Sequence, residues 1–183
     1  MEDIKLKRGQ EIKLKISDLA FGGRGISKKD DLVFFVKDAI PNQDVIAKIS
    51  KIKKNYVEAY SIETIKKSKD QVDPPCEHFE WCGGCTTQQL DYQKQLHFKQ
   101  KQISDILNKI AGEKDLDINP IIGCEQTFFY RNKMEYTFSG VPWYIGDESY
   151  DDVVIGLHVP KRFDKILNIN KCHINHDVFN DIL

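Results

Sequence analysis

The sequence predicts an α+β fold, with a small N-terminal β-barrel followed by a domain of one long helix and an antiparallel sheet. Three observations support this prediction. Short runs of alternating apolar and polar residues fill positions 9–65, apolar residues recur at helical spacing between positions 92 and 110, and further alternating runs follow. Alternation is typical of half-buried strands, and a period of three to four residues is typical of helices. We therefore expect domains at 1–65 and 76–183, with a linker at 66–75.

The N-terminal domain is predicted from short strands separated by turn residues. The first strand begins at Glu11, and the turn Gly22-Gly23-Arg24-Gly25 follows it. Pro41-Asn42 and Lys54-Asn55 mark two later turns. Five strands are expected, among them 11–16, 32–36, 45–49 and 56–62. So many short strands in so few residues favour a small closed barrel of the oligonucleotide-binding type.

The second domain is expected to begin after a charged segment that ends in two prolines. Residues 66–75 are poor in large apolar side chains, which is typical of a linker. Thr86 and Gln89 match the capping box that starts many helices. Helical spacing then continues to Gly112 through Tyr92, Leu96, Ile103, Leu107 and Ile110. We expect one long amphipathic helix, which leaves the preceding cysteine loop directly.

The rest of the chain predicts a sheet. Alternating residues indicate strands at 128–138, 153–158 and 166–169, and Cys172 lies just past the last of them. Cys124 stands alone behind a short apolar run. We expect Cys124 to be a buried structural cysteine rather than an attacking thiol.

The composition excludes several classes of protein. The chain has 183 residues, of which 40% are hydrophobic and 30% charged, enough to bury a core. No apolar run approaches the roughly 20 residues that span a bilayer, and the N-terminus lacks the apolar stretch of a signal peptide. We expect a cytoplasmic monomer with no membrane partner. Its five cysteines then indicate a metal centre or free thiols, not disulfides.

The charge is unevenly distributed along the chain. Residues 1–70 carry 16 Lys and Arg against 11 Asp and Glu, a net charge of +5, whereas residues 71–183 carry 11 against 17, a net charge of −6. The first part therefore suits a polyanionic partner such as RNA. The alternative is that lysine-rich strands only solvate the outside of a small barrel.

Four cysteines are the candidate metal ligands. Cys76, Cys82 and Cys85 lie in one loop with the spacing C-x5-C-x2-C, and Cys172 lies 87 positions after Cys85. This spacing differs from the paired C-x2-C motifs of a zinc ribbon and suits a 4Fe-4S cluster, which needs four thiolates around a larger object. Gly83-Gly84 would let backbone N–H groups approach the sulfur atoms. Zinc held by three cysteines with Cys172, His78 or His173 stays an alternative, as do unmetallated thiols.

The motifs resemble a known family. Gly9, the glycine-rich turn at 22–25 and the segment Lys53–Ala59 resemble the TRAM domain, a small RNA-binding barrel. The cysteine loop at 76–85 and the segment Phe129–Phe138 are similar to the iron-sulfur, TRAM-containing 23S rRNA (uracil-5-)-methyltransferases. The order and spacing of these motifs agree over essentially the whole chain.

The resemblance implies methylation of C5 of a ribosomal uridine with S-adenosylmethionine. In that family a cysteine thiolate adds to C6, C5 takes the methyl group, and a general base removes the C5 proton. The cluster ligands fall on Cys76, Cys82, Cys85 and Cys172. The domain that binds S-adenosylmethionine and holds the nucleophile is expected after Leu183, so the chain would be the front part of the enzyme and inactive alone. No glycine-rich loop here opens a helix, and we assign no catalytic residue.

Contact with RNA is expected from basic side chains in turns and on one strand. Lysine gives salt-dependent phosphate binding, and arginine can also stack on an unpaired base or bind it with two hydrogen bonds. The candidates are Arg24, Lys51, Lys53, Lys54, Arg131 and Lys133. Phe35 and Tyr56 could stack on bases, but a place in the core is the more common fate of strand aromatics. Trp81 is expected to shield the metal centre.

Two other functions fit the same motifs. A stand-alone iron-sulfur RNA-binding adaptor would have the same cysteines and basic residues but no enzyme attached. A ferredoxin-like electron-transfer protein would need an exposed cluster and no RNA. An RNA-binding protein loses RNA affinity as salt is added. A salt series therefore distinguishes the ferredoxin-like protein from the methyltransferase and the adaptor, which both bind RNA.

Overall fold

The computed structural model describes residues 6–112, 116–145, 153–160 and 162–183. The chain divides into two compact units, and each unit is made of two separate segments of the sequence. The first unit is Met1–Val72 with Gln89–Ile122, and the second is Asp73–Gln88 with Gly123–Leu183. The units therefore run differently from the domains expected at 1–65 and 76–183, because the segment that carries the long helix belongs to the first unit.

The first unit is built on a six-stranded sheet. Its strands are β1 (Glu11–Lys15), β2 (Asp18–Leu19), β3 (Gly25–Lys29), β4 (Leu32–Lys37), β5 (Asp44–Ile52) and β6 (Tyr56–Lys66). They are ordered β1-β5-β6-β4-β3-β2, and all neighbours are antiparallel except β4 and β6, which are parallel. Four of the strands were expected from alternation. The short β2 and the strand β3 directly after the glycine turn bring the number to six instead of five.

One face of this sheet forms the core of the first unit. Ten side chains of this core are almost completely buried, eight from the strands and two, Ile16 and Ala39, from just beyond them: Leu14, Ile16, Phe34, Val36, Ala39, Val45, Ala47, Ile49, Val57 and Ala59. Gly25 is required at the start of β3, since an added Cβ would lie 2.8 Å from Cγ2 of Ile16 and 2.9 Å from the carbonyl oxygen of Ala39. The turn before it contains Gly22 and Gly23 at positive φ, where other residues are strained.

The closed barrel expected from the density of strands is not supported. Within the described residues the sheet begins at β1 and ends at β2, and these two edge strands do not pair with each other. The strand β2 has only two residues, Asp18 and Leu19, and both pair with β3. An edge strand of this length has too few backbone groups left to close a barrel.

The helix α1 (Tyr92–Ile106) belongs to the first unit. The side chains of Leu90 and Phe98 are buried with Leu19 and Ile40. Two further contacts join the helix to β2, since Nζ of Lys101 lies 2.6 Å from a carboxylate oxygen of Asp18 and the amide of Gln102 donates to the Leu19 carbonyl. A π-helical turn, Leu107–Ala111, continues the helix to Gly112, whose φ of 72° ends it as predicted.

The predicted start of this helix is wrong. Asp91, not Thr86, caps it, because the Asp91 carboxylate accepts the backbone N–H of Lys94. The residues just before Asp91 are needed elsewhere: Leu90 forms a β-bridge with Gln71, and the Gln89 carbonyl accepts the N–H of Val72. The predicted linker at 66–75 is thus structured in part. Its first residue ends β6, and Gln71 also accepts a hydrogen bond from the side chain of Gln43.

The second unit contains a smaller sheet. Its strands are β7 (Thr137–Ser139), β8 (Pro142–Trp143), β9 (Val154–Val159) and β10 (Arg162–Asn168), in the order β7-β9-β10-β8. The predicted antiparallel sheet is in fact mixed, because β8 pairs with β10 in parallel. A 3-10 helix, Asp177–Ile182, follows. The buried side chains of this unit include Val159, Leu167, Ile169, Cys172 and Ile174.

The long strand predicted at 128–138 is mostly absent. Only Thr137 and Phe138 of that segment lie in a strand. Phe129 has a φ of 55°, a left-handed conformation that interrupts an extended run. The segment instead binds the chain after Cys172, because the N–H groups of Phe129 and Arg131 donate to the carbonyls of His173 and Ile174.

Candidate metal centre and nucleic-acid surfaces

Four cysteines of the second unit line one cavity. Cys76, Cys82 and Cys85 of the loop are half-buried, and Cys172 is buried. The cavity is small, with a volume of about 20 Å³. Its remaining walls are mainly apolar and include Phe79, Leu157, Ile169 and Ile174. The structure therefore brings together all four predicted ligands, although Cys172 is far from the others in sequence.

Backbone hydrogen bonds shape the cysteine loop. The His78 carbonyl accepts the N–H groups of Trp81 and Cys82, so the chain folds back on itself between the first two cysteines. Gly83 donates to the His158 carbonyl of β9, and a Cβ at this position would lie 2.9 Å from that oxygen. The N–H of Gly84 donates to Sγ of Cys82 at 3.3 Å. This is the kind of contact that the glycine pair predicts.

Cys172 is fixed by the residues that follow it. Its backbone N–H donates to Oδ1 of Asn180 at 2.9 Å, and the Asn180 amide donates to the Cys172 carbonyl. The phenol of Tyr136 is a neighbour of the Cys172 side chain, which contributes to raising the pKa of Tyr136. The buried amide of Asn175 in turn donates to the Tyr136 hydroxyl at 3.1 Å. Tyr136 and Asn175 carry no signal in the sequence that predicts this role, because only the fold brings them beside the cysteine.

Burial disfavours the charged form of the loop thiols. Desolvation raises the pKa of Cys82 to about 11 and also raises the pKa values of Cys76 and Cys85. Repulsion between the sulfur atoms raises them further, whereas the positive charge of Arg131 lowers the pKa of Cys85. Burial is also the main reason that the pKa of Tyr136 rises to about 12. Four thiolates would be stable in this cavity only with a cation to compensate their charge.

Four thiols are the donor set of an iron-sulfur cluster and also of a four-cysteine zinc site. Within the described ranges, no three His, Cys, Asp or Glu side chains are grouped so as to hold a metal ion. The backbone donor at Cys82 and the Tyr136 hydroxyl near Cys172 are the kind of neighbours that tune ligand sulfur atoms in metal sites. The zinc alternative is weakened at His78, because its Nε2 accepts the N–H of Asn170.

Two predictions about residues near this centre are wrong. Trp81 does not line the cavity and is 40% exposed, whereas Phe79 of the same loop is in the wall. Cys124 is exposed rather than buried, and its thiol donates to the Gln126 carbonyl. Both predictions were based on neighbours in the sequence. Neighbours in the sequence do not determine which way a side chain points.

Arg131 and Lys133 lie in an open groove of the second unit. Gly83, Gly84, His158 and Phe163 are other members of its wall. The guanidinium of Arg131 donates from Nε to the Lys133 carbonyl, which holds the side chain in place. Lys133 forms an exposed ion pair with Glu135 at 3.2 Å. The structure thus places these two predicted RNA-binding residues together, beside the glycine pair of the cysteine loop.

The four predicted RNA-binding residues of the first unit lie at two ends of its sheet. Arg24 precedes Gly25, which pairs with Val36 near the end of β4. Exposed Lys51, Lys53 and Lys54 are around the turn before Tyr56, which pairs with Val33 near the start of β4. The structure therefore does not bring Arg24 to the lysines. It does place Lys28 and Lys29 at the lysine end, because they pair with Val33 and Leu32.

Comparisons with known proteins relate the chain to RNA-modifying enzymes. The TRAM domain family matches residues 5–60. A protein of Bacteroides thetaiotaomicron described as an uncharacterized RNA methyltransferase is 39% identical over 90% of this chain and 37% of its own length. A Porphyromonas gingivalis protein with the same description is 34% identical over 92% of this chain and 38% of its own length. The chain thus spans less than two fifths of these relatives.

A solved structure supports the fold. The crystal structure of Pyrococcus abyssi tRNA (uracil-54, C5)-methyltransferase in complex with S-adenosyl-L-homocysteine matches 93% of this chain and 34% of its own, with a TM-score of 0.56 and 22% identity. Among the described helices, none is long and apolar enough to cross a membrane. Residues 5–60 match the TRAM domain family, and over nine tenths of its length the chain is similar to proteins described as RNA methyltransferases.

Proposed function

We propose that the chain is the RNA-recognition and cluster-binding part of an S-adenosylmethionine-dependent RNA uracil-C5 methyltransferase that forms 5-methyluridine in 23S rRNA. One observation carries the proposal: the four cysteines named by the resemblance line one cavity, although Cys172 is remote in sequence. The TRAM match at 5–60 and the similarity to RNA methyltransferases support the choice of RNA as substrate.

In this proposal Cys76, Cys82, Cys85 and Cys172 hold a 4Fe-4S cluster. When bound, the cluster would supply a structural cross-link rather than electrons, since methylation of uracil needs no electron transfer. Gly84 and Tyr136 would donate hydrogen bonds to ligand sulfur atoms, and Asn175 would orient the Tyr136 hydroxyl. The cross-link would join the loop to the segment after β10 and order the groove that contains Arg131.

The basic side chains would bind and orient the RNA. Lys51, Lys53 and Lys54 would contact phosphates from the first unit, and Arg131 would contact the RNA near the target base from the second unit. The target uridine would be flipped out of its helix before reaction. We assign no catalytic residue to this chain, and S-adenosylmethionine would be bound by another part of the enzyme.

The proposal can be tested in the organism that encodes the chain. Deleting the gene should remove one 5-methyluridine from 23S rRNA, as measured by nuclease digestion and mass spectrometry, and restoring the gene should return it. Loss of 5-methyluridine from tRNA alone would overturn the ribosomal target. An unchanged 5-methyluridine content in both RNAs would overturn uracil methylation itself. Purified chain mixed with labelled S-adenosylmethionine and unmethylated 23S rRNA should bind the RNA and transfer no label.

A further inference from the structure

The outer face of the first sheet carries three aromatic side chains, two in contact with each other and the third beyond Glu58 on the same strand. Phe34 and Val57 point into the core, so their neighbours Phe35 and Tyr56 lie on the opposite face, where both are half-buried. The two rings contact edge to face with centroids 5.6 Å apart. Tyr60 follows on the same face of β6 and is 36% exposed. Aromatic residues in strands are most often in the core. Here Phe34 is in the core, and Phe35 and Tyr56 are not.

Lysines flank these aromatics on both sides. On one side, Lys28 of β3 pairs with Val33, next to the Phe35 and Tyr56 rings. On the other side, Lys48 and Lys51 of β5 pair with Tyr60 and Glu58. The aromatic centre with basic margins matches the two needs of unpaired RNA, which are flat surfaces for bases and cations for phosphates.

We propose that this outer face is a stacking platform for unpaired RNA bases, formed by Phe35, Tyr56 and Tyr60. The inference rests on the proposed RNA-binding function and adds the substrate class, which is single-stranded RNA rather than a duplex. Bases lie on the aromatic rings of β4 and β6, and the phosphates follow the lysines of β3 and β5. Glu58 pairs with both Phe35 and Lys51, so its carboxylate keeps phosphates off the centre and can accept a hydrogen bond from a base.

The register of the sheet explains why the platform is in place before RNA arrives. Phe35 and Tyr56 belong to adjacent parallel strands, and each ring limits the rotation of the other. A preformed aromatic surface loses little side-chain entropy on binding. The sequence alone did not reveal the platform, since the choice between core and surface depends on the register of β4 and β6.

The first test measures affinity for an oligouridine of about ten nucleotides, which is within the usual site size of small domains that bind single strands. Tyr56→Leu and Tyr60→Leu should each weaken binding about tenfold, because stacking on one base is worth that much. Their salt dependence should equal that of the wild type, since no cation is lost. Lys51→Ala should instead lower the slope of log affinity against log salt by about 0.7. Tyr144→Leu, at a similarly exposed tyrosine of the second unit, is the matched control and should bind as the wild type does.

The outcomes separate this inference from the proposed function. Wild-type protein that shows no salt-dependent RNA binding overturns the proposed function. Wild-type protein that binds oligouridine, with both tyrosine variants equally tight, overturns the platform alone. Preference for duplex RNA over oligouridine also overturns it. Thermal unfolding of each variant shows whether it is folded, and the exposed position of Tyr60 keeps the test valid if Tyr56→Leu is unstable.

A cross-linking experiment provides an independent measurement. Oligouridine that contains 5-iodouridine reacts on irradiation with aromatic side chains that stack on the modified base. Mass spectrometry of the digested complex should identify cross-links at Phe35, Tyr56 or Tyr60. Cross-links only at other aromatics, such as the 83%-exposed Phe21, would overturn the assignment of the platform to this face.

Discussion

Cys172 is the residue on which the candidate metal centre depends, because it alone comes from outside the loop. We predict that Cys172→Ser loses most of its iron and acid-labile sulfide when purified without oxygen, since three thiolates hold a 4Fe-4S cluster poorly. Cys124→Ser is the matched control: this cysteine is exposed and does not line the cavity, so its iron content should be that of the wild type. Equal iron in the two variants, or stoichiometric zinc in the wild type, would contradict the assignment.

Tyr136 provides a second prediction at the residue scale. In Tyr136→Phe the buried Asn175 amide loses the acceptor of its 3.1 Å hydrogen bond, and the Oδ1 of Asn175 already has no partner among the described residues. We expect a loss of about 1–3 kcal/mol in the free energy of unfolding, the usual cost of an unsatisfied buried group. Urea unfolding of cluster-free protein at neutral pH measures it. Tyr130→Phe, at a 58%-exposed tyrosine, should cost almost nothing, and equal losses in both variants would refute the explanation.

The contact between α1 and β2 gives a prediction at the scale of elements. Lys101 binds Asp18 and Asp105 at 2.6 and 2.8 Å, and all three side chains are partly exposed. Lys101→Met should therefore lower the stability by only about 1 kcal/mol. Lys109→Met, which removes a longer and more exposed pair to Asp105, is the control and should lower it less.

The effect of Lys101→Met should also depend on pH. The hydrogen bond from Lys101 lowers the pKa of Asp105 below its ordinary value of 3.8. A lowered carboxyl pKa stabilises the folded state above the unfolded pKa, and this contribution is lost as the pH falls through the folded value. The difference in thermal midpoint between wild type and Lys101→Met should thus be full at neutral pH and shrink in strong acid. If the difference in thermal midpoint grows on acidification, the ion pair between Lys101 and Asp105 is not its source.

The elements show how far sequence patterns predict this fold. Alternation located β1, β4, β5 and β6, and Gly112 marked the end of the helix, because these signals depend on neighbours in the chain. The start of α1 was missed, since two capping residues compete and the β-bridge between Gln71 and Leu90 decides for Asp91. The strand at 128–138 was overestimated for a similar reason: its N–H groups bind the chain after Cys172, a partner that no local pattern reveals.

The candidate site was predicted in its ligands but not in its surroundings. Cysteines are few and their spacing is distinctive, so the four that line the cavity could be identified from the sequence alone. Tyr136, Asn175 and Phe79 could not, because tyrosine, asparagine and phenylalanine occur in many roles. Their proximity to the sulfur atoms is a property of the folded unit.

At the scale of the whole molecule, basic residues in both units should contribute to RNA affinity. We predict that a Lys53→Ala, Lys54→Ala double variant lowers the salt slope of binding to a 23S rRNA fragment by about 1.4, which is two phosphate contacts. The control is Lys66→Ala with Lys67→Ala, two exposed lysines to which we assign no RNA contact. Filter binding across a salt series measures the slopes. If the control pair lowers the slope as much as the Lys53 and Lys54 pair, the binding is a diffuse charge effect rather than a contact at the turn.

The bridge between Gln71 and Leu90 has a consequence for protein engineering. The N–H of Val72 donates to the Gln89 carbonyl at 3.0 Å, so the two ends of the intervening cysteine loop are neighbours within the first unit. The chain therefore leaves the first unit after Val72 and returns to it at Gln89, close to the same point. Residues 73–88 are in this sense an insertion. Excising them and closing the gap with a turn of about two residues should yield a soluble, independently folding miniature of the first unit. A gene cut at the proline pair would instead separate α1 from the sheet and expose Leu19 and Ile40.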